Sequence, residues 1–568
     1  MKQQLPETWD MEADLVAIGS GGGGLCAAIT AHDHGASALV LERADQIGGV
    51  TAFSMGEIWI PGHHLMQAEG IADSTDSGYC YIRTLSMGYG EDAAILNQAI
   101  HGPVALRYFV EKAGLKLRVI RDCPDYYYPH NNDSLAEGRY VEVEPFPADS
   151  LGEWQFKTRL SPHVPYGLTH EDIFHNGGMA NMINWDYSVM AERMGKDERC
   201  LGPGLAAYFV KAVLDRNIPI HTGINVEQLI HDGERVIGLR ASQDGKTVHI
   251  KANRGVVLAV SSYERNPDYS KTLSNQLDPV SMVMTSVDGA HLRLAGPLGA
   301  RTARVPDPTM LGFHMPGEEQ EDGVPLWRGA LPFMGLPHTI LVNRAGKRFA
   351  NEAFYRSVYF AVDQVDGATQ THPNFPCWLV IDAQARAKYP FGSVMPGQDM
   401  PEGMAVQANS IAELAALTGI DAAGLETTIA TFNRYSEAGE DPDFKRGTFP
   451  WGATMTGDPK QKPNPNLGPI SQGPYYAIPL HRMGGGGITG TGIVADQHCR
   501  AMGWDGQPIA GLYVAGNSVA RLDNGAIMQS GITNARGLTH GYLAGRHAAG
   551  QPSDLLDQAL AKMPGLAQ

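Results

Sequence analysis

Short apolar runs interrupted by glycine clusters dominate the two ends of this chain. Leu15 to Ile18 has the length of a buried strand and stops at Gly19-Ser20-Gly21-Gly22-Gly23-Gly24. A small-residue stretch of helical character follows, and a second apolar run, Ala38 to Leu41, ends on Glu42-Arg43. That order predicts strand, glycine turn, helix and parallel strand. Further on, 91–114 and 200–216 read as helices, the second leading into a strand at Ile218 to Ile220. Val226 to Val260 alternates short strands with turns at Asp232-Gly233 and Asp244-Gly245. Segment 122–150 reads as loop. From about 280 to 465 the texture changes to prolines and long loops around a strand at Thr339 to Val342. A strand beginning at Tyr475-Tyr476, a strand ending in Ala515-Gly516-Asn517 and a helix from Thr533 to Ala549 follow. The pattern predicts an α/β protein. A Rossmann-like unit is expected from residues 1–280 and 467–568, with an α+β substrate unit, 281–466, inserted between them.

The glycines of the first turn have separate uses. Gly19 permits the tight turn, Gly21 lets backbone approach a pyrophosphate, and Gly24 lets helix and sheet pack closely. Gly22 and Gly23 open the helix, whose N-terminus offers free N–H groups to phosphate. Glu42 stands where a carboxylate binds ribose hydroxyls. The motif implies a dinucleotide, and NAD and FAD both satisfy it.

Composition narrows the partners. The chain has 568 residues, 18% of them charged, and a net charge of −17. Such a chain is expected to hold more than one domain and to avoid nucleic acid and anionic membranes. The six cysteines stand apart with no CxxC pair, so no zinc, iron–sulfur or c-type haem site is expected, and reduced thiols point to the cytoplasm. No signal region or 18-residue apolar run is evident; peripheral membrane contact stays open if the substrate is greasy. His163, His170 and His175 share a loop region without metal-ligand spacing and are expected to be solvated. His481 reads as a structural or cofactor-side histidine.

The two ends together resemble the FAD-dependent fumarate reductase/succinate dehydrogenase flavoprotein superfamily. The likeness rests on the first glycine turn, on Gly48-Gly49-Val50-Thr51-Ala52-Phe53-Ser54, on Leu341 to Glu352 and on Ala515-Gly516-Asn517. Within it the chain looks most like 3-ketosteroid dehydrogenases, through Asp125-Tyr126-Tyr127-Tyr128-Pro129, Trp59-Ile60-Pro61 and the spacing of the tail. The resemblance implies noncovalent FAD, since no counterpart of the flavin-linking histidine stands near Val50-Thr51. It implies cofactor contacts at Gly19, Gly21, Gly22, Gly23, Gly24, Glu42, Arg43, Gly48, Gly49, Thr51, Ser54, Met55, Gly56, Val226, Ser261, Gly516, Asn517, Gly531 and Ile532. It also implies a small hydrophobic ketone as substrate and an external electron acceptor. Three departures fall on the substrate side. Arg356 stands where the steroid enzymes carry a Tyr, the segment Ala526 to Gly531 lacks their Tyr, and Ser261-Ser262 replaces a double glycine.

Forming a C=C bond beside a ketone needs a donor to polarise the carbonyl, a base for the α-proton and a hydride acceptor. The backbone N–H of Gly531 is the first candidate donor, with Gln529 or Arg521 as alternatives. Tyr355 and Tyr127 are the candidate bases. If Tyr355 and Arg356 are strand neighbours they face opposite ways, and an inward Arg356 would favour Tyr127. Arg356 as proton donor defines the rival expectation, an ene reductase of an unsaturated acid or enone. A flavin-binding sensor or carrier is the third expectation, disfavoured by the size of the inserted unit.

Overall fold

The computed structural model describes residues 5–277, 279–307 and 309–562. Residues 1–4, 278 and 563–568, which fall within the expected nucleotide-binding unit, lie outside these, as does residue 308 of the inserted unit. Five parallel strands form the heart of the first sheet, in the order Pro508–Val514, Lys246–Leu258, Met11–Ile18, Ala38–Leu41 and Ile220–His221. Arg500–Met502 pairs antiparallel with one edge, and the hairpin Asn225–His231 and Val236–Gln243 extends Lys246–Leu258. The first strand is apolar at every position from Leu15 to Ile18 because both of its faces are covered. Leu15 and Ala17 pack into a core with helix residues Leu25, Ala28 and Leu538. Val16 and Ile18 point to the other face, with Leu229, Leu239 and Leu294.

Two helices from opposite ends of the chain close against each other on this sheet. Helix Gly22–Asp33 and helix Ile532–Ala548 meet almost backbone to backbone. A Cβ on Gly541 would lie 2.6 Å from both the Cys26 Cβ and the Gly23 carbonyl, and one on Gly545 would lie 2.6 Å from the Ala27 carbonyl. That contact, with the C-terminal strand beside Lys246–Leu258, joins residue 20 to residue 540 in one layer.

The second sheet is antiparallel, in the order Pro325–Gly329, Met310–Glu319, Tyr475–Met483, Cys377–Ile381 and Thr339–Asn343, with Val406–Ala408 also on Tyr475–Met483. Tyr475–Met483, beyond the expected limit at residue 467, is a central strand of the second sheet, and the chain returns to the first only after it. The segment 122–150 is also more ordered than its polar sequence suggests: Tyr140–Val143 pairs with Ile58–Trp59 and Leu117–Val119.

Tyr355 and Arg356 open a helix, Tyr355–Val362, instead of lying on a strand. Tyr355, Val358, Tyr359 and Val362 are its buried apolar face, spaced by three and four residues as a helix requires. The two side chains are thus about 100° apart, not opposed.

Candidate functional site

A cleft with about 1790 Å³ of empty space, its open mouth included, runs from the glycine turn to the second sheet. At its first end the backbone of Gly19, Gly21, Gly22 and Gly23 forms the wall. Gly19 takes φ +99°, and a Cβ there would sit 2.4 Å from the Ala259 carbonyl. Helix Gly22–Asp33 begins without any side-chain cap, and the Gly22 N–H donates to Thr51 Oγ1 at 3.0 Å. Glu42 is buried at the end of the second strand, where its carboxylate accepts from the Ser20 N–H at 3.1 Å, the Ser20 hydroxyl at 2.6 Å and the Ala44 N–H at 3.0 Å. Arg43 pairs with Asp288 at 2.7 Å. Gly49, Thr51, Ser54, Met55, Val226, Ser261, Gly516 and Asn517 continue the lining. Asn517 gives its amide N–H to the Gly487 carbonyl at 2.8 Å, while its Oδ1 is buried without a partner.

This donor set suits FAD. An uncapped helix N-terminus framed by bare glycine backbone accepts a pyrophosphate, a held carboxylate accepts ribose hydroxyls, and an orphaned amide oxygen awaits a donor.

Four residues expected to touch the cofactor do not line the cleft. Gly24 seats the helix on the turn, since its Cβ would fall 2.0 Å from the Gly19 carbonyl. Gly48 precedes the short helix Gly49–Phe53 at φ +111° and donates its N–H to Ser20 Oγ at 3.1 Å. Gly56 lies against the Leu201 backbone, and Ile532 is buried in the core. For the three glycines, the motif reflects packing and turn geometry behind the cleft.

Three tyrosines, Tyr126, Tyr355 and Tyr359, gather at the other end. The rings of Tyr126 and Tyr355 meet edge to face at 5.4 Å, and Tyr359 lies 4.9 Å from Tyr355, one helical turn on. The Tyr355 and Tyr126 side chains face each other, and Tyr126 also faces Ser530. Burial pushes the pKa of all three phenols up, so none is a phenolate at neutral pH. The Tyr359 hydroxyl has no hydrogen-bond partner among the described residues. Gly531 lines the cleft as the residue before helix Ile532–Ala548, at φ +75° and with no side-chain cap.

Two candidate catalytic residues lie elsewhere. Tyr127 is turned from the cleft, edge-on to Phe354 at 5.2 Å and facing Arg356. Arg356 donates to the Ala526 carbonyl and stacks 4.1 Å over the Phe360 ring, outside the lining. Of the alternatives, Gln529 lines the cleft but is held by the hydroxyls of Tyr81 and Tyr140, and Arg521 is spent on the Ile527 carbonyl at 2.9 Å. Arg348 and Glu352 of the segment 341–352 join Asp441 and Arg446 in a buried ion cluster away from the cleft.

Behind the tyrosines stands a carboxylate that the motif reading passed over. Glu57 is buried on the cleft wall, accepts from the Ser530 hydroxyl and lies 3.3 Å from His170 Nε2. Burial disfavours charge on His170, but Glu57 outweighs it and holds the imidazole up at about 8. His170 is buried and His163 half-buried, so neither is freely solvated; His163 bonds the Met282 carbonyl at 2.8 Å. His175 is exposed, and among the described residues no cluster of His, Cys, Asp and Glu could hold a metal ion. The available signal for Glu57 was a lone acid in the apolar run Ile58-Trp59-Ile60, and for Tyr359 the spacing of four from Tyr355.

Comparison with known proteins agrees with this geometry. An FAD binding domain family matches residues 14–533. The chain is 30% identical to the 4-oxocyclohexanecarboxylate 2-dehydrogenase of Sinomonas cyclohexanicum over 96% of its own length and 95% of that protein's. It is also 30% identical to a 3-oxosteroid 1-dehydrogenase of Mycolicibacterium smegmatis, over 94% and 96%. The crystal structure of the 3-ketosteroid Δ1-dehydrogenase of Sterolibacterium denitrificans with 1,4-androstadiene-3,17-dione superposes with a TM-score of 0.85 at 29% identity, covering 95% and 99% of the two chains. The chain belongs to the FAD-binding flavoprotein family that includes fumarate reductases. It is an FAD-dependent oxidoreductase acting on CH–CH bonds. Among the described residues no helix is long and apolar enough to cross a membrane.

Proposed function

We propose that this protein desaturates a ketone, forming the C=C bond α,β to the carbonyl of a cyclic ketone or steroid. The observation that carries the reading is the facing pair of phenols, Tyr355 and Tyr126, in the same cleft as the dinucleotide cradle. FAD, when bound, supplies the acceptor for the hydride leaving the β-carbon. The parallel sheet and its glycine turn act as its Rossmann-like binding unit. Attachment is noncovalent, a reading supported by the lack of histidine and cysteine among the described residues lining the cleft.

The chain's own residues do the rest. The Gly531 N–H, at an uncapped helix start, holds the ketone oxygen and favours negative charge there. Tyr355 takes the α-proton at its hydroxyl oxygen as its own proton moves to Tyr126. Met310, Leu331 and Met528 give the substrate end an apolar wall. The relatives named for oxocyclohexane and oxosteroid substrates support a cyclic ketone. With Ile527 buried in the core and the Ser530 hydroxyl given to Glu57, this chain polarises the carbonyl without a tyrosine from the tail segment. Electrons then leave to an external acceptor.

Anaerobic mixing with cyclohexanone, 4-oxocyclohexanecarboxylate and a saturated 3-oxosteroid tests the reading. Bleaching of the flavin absorbance by at least one saturated ketone is expected. Inertness to all three, with reoxidation of reduced flavin by enones alone, would overturn it in favour of a reductase.

A further inference from the structure

Burial raises a difficulty for a tyrosine base. With their pKa values pushed up, Tyr126 and Tyr355 hold their protons at neutral pH and can accept another only by passing their own onward. The polar groups line up in one series. Tyr355 faces Tyr126, Tyr126 faces Ser530, and the Ser530 hydroxyl donates to Glu57. Glu57 and Ser530 also border a second, smaller hollow, about 220 Å³ of empty space with its opening included, that His170 lines. They thus form the partition between it and the cleft.

We propose that Ser530 and Glu57 form a proton relay, tuned by His170, that draws the α-proton from Tyr355 and Tyr126 to the wall of the inner void. The inference rests on the desaturation reading above. The step balances as follows. The substrate Cα–H bond breaks to leave its electron pair in the new C=C bond, and the β-hydride goes to the flavin as oxidant. The α-proton bonds to the Tyr355 oxygen, the Tyr355 proton to Tyr126, the Tyr126 proton to Ser530, and the Ser530 proton to the Glu57 carboxylate. One proton has moved in net, and no phenolate forms.

The groups around the sink favour this assignment. His170, Tyr126 and Cys123 face Glu57, and both the thiol and the phenol are neutral. His170 faces Glu57 and Glu142, and Glu142 is bound to Arg118 at 2.9 Å. Its Nε2 lies 3.0 Å from the Met55 carbonyl, and its Nδ1 has no partner among the described residues. While His170 is charged it weakens Glu57 as an acceptor. The relay therefore strengthens as pH rises through about 8.

Stopped-flow flavin bleaching by the active ketone, from pH 6 to 9.5, tests the relay in the FAD-loaded enzyme. Wild-type rate is expected to rise to a plateau above pH 8. Glu57→Gln should slow bleaching at least tenfold and flatten that profile, with KM for the ketone and the FAD spectrum unchanged. His170→Asn should remove the rise. Ser530→Ala, which alters no charge, should slow bleaching similarly and decides the matter if Glu57→Gln does not fold. A readout independent of turnover is the 15N-histidine spectrum, in which the His170 midpoint should fall in Glu57→Gln. If Tyr355→Phe abolishes bleaching while Glu57→Gln and Ser530→Ala keep rate and profile within twofold, the relay is wrong and the desaturation reading stands. If no ketone bleaches the flavin, the reading itself has failed.

Discussion

At the scale of single residues, function turns on how charge and hydroxyl groups are held. Glu42 accepts three hydrogen bonds within the protein and still borders the cleft. Glu42→Ala is expected to weaken FAD binding by about 10- to 100-fold, the worth of a charge-assisted hydrogen bond, measured by flavin fluorescence titration. Tyr355→Phe should lower the bleaching rate by about 10²–10⁴-fold with cofactor affinity intact, as removal of a proton-transfer group does. His170 carries a stability signature. Its folded value of about 8 lies above the ordinary value of about 6.5, so its pairing with Glu57 stabilises the fold fully below pH 6.5. That stability, about 2 kcal/mol, drains as pH rises through 8. Urea midpoints between pH 6 and 9 should fall accordingly, and the slope should disappear in Glu57→Gln. The residue types at this end were visible in the sequence. Which of three adjacent tyrosines faces the cleft was not, because a loop has no period from which to read a facing direction.

At the scale of elements, the glycine turn and the C-terminal helix form one device. The pair Gly22–Asp33 and Ile532–Ala548 approaches so closely that Gly541 has no room for a methyl group. Gly541→Ala is expected to cost about 1–3 kcal/mol through overpacking and to lower FAD affinity as well, because both helix starts border the cleft. Thermal denaturation with and without FAD separates the two effects. The helices 92–111 and 201–215 and the strands around 226–258 follow from periodicity. Tyr355–Val362 is a helix, where the sequence left strand geometry open for Tyr355 and Arg356. Its own spacing of apolar residues at 355, 358, 359 and 362 is helical, and burial against Trp451 and Tyr126 selects that face.

At the scale of the whole molecule, two sheets share one cleft, and buried charges tie the second sheet to its helices. Glu352 binds Arg348 at 2.7 Å and Arg446 at 3.3 Å, while Arg348 also binds Asp441 at 2.7 Å. Glu352→Gln leaves two buried guanidinium groups short of one carboxylate, and about 3–5 kcal/mol of stability should be lost in chemical denaturation. The cofactor class and the α/β architecture were legible in the linear order of strand, glycine turn, helix and acid, because those demands are local: a φ above zero, a bare backbone, a free helix end. Four properties came only from the tertiary structure. Tyr475–Met483 crosses to the second sheet, Arg356 turns to the Ala526 carbonyl outside the cleft, Gly56 serves packing, and Glu57 meets Ser530 and His170 from three distant segments. Each depends on which surfaces are buried together, and burial is a property of the folded whole that no stretch of sequence carries by itself.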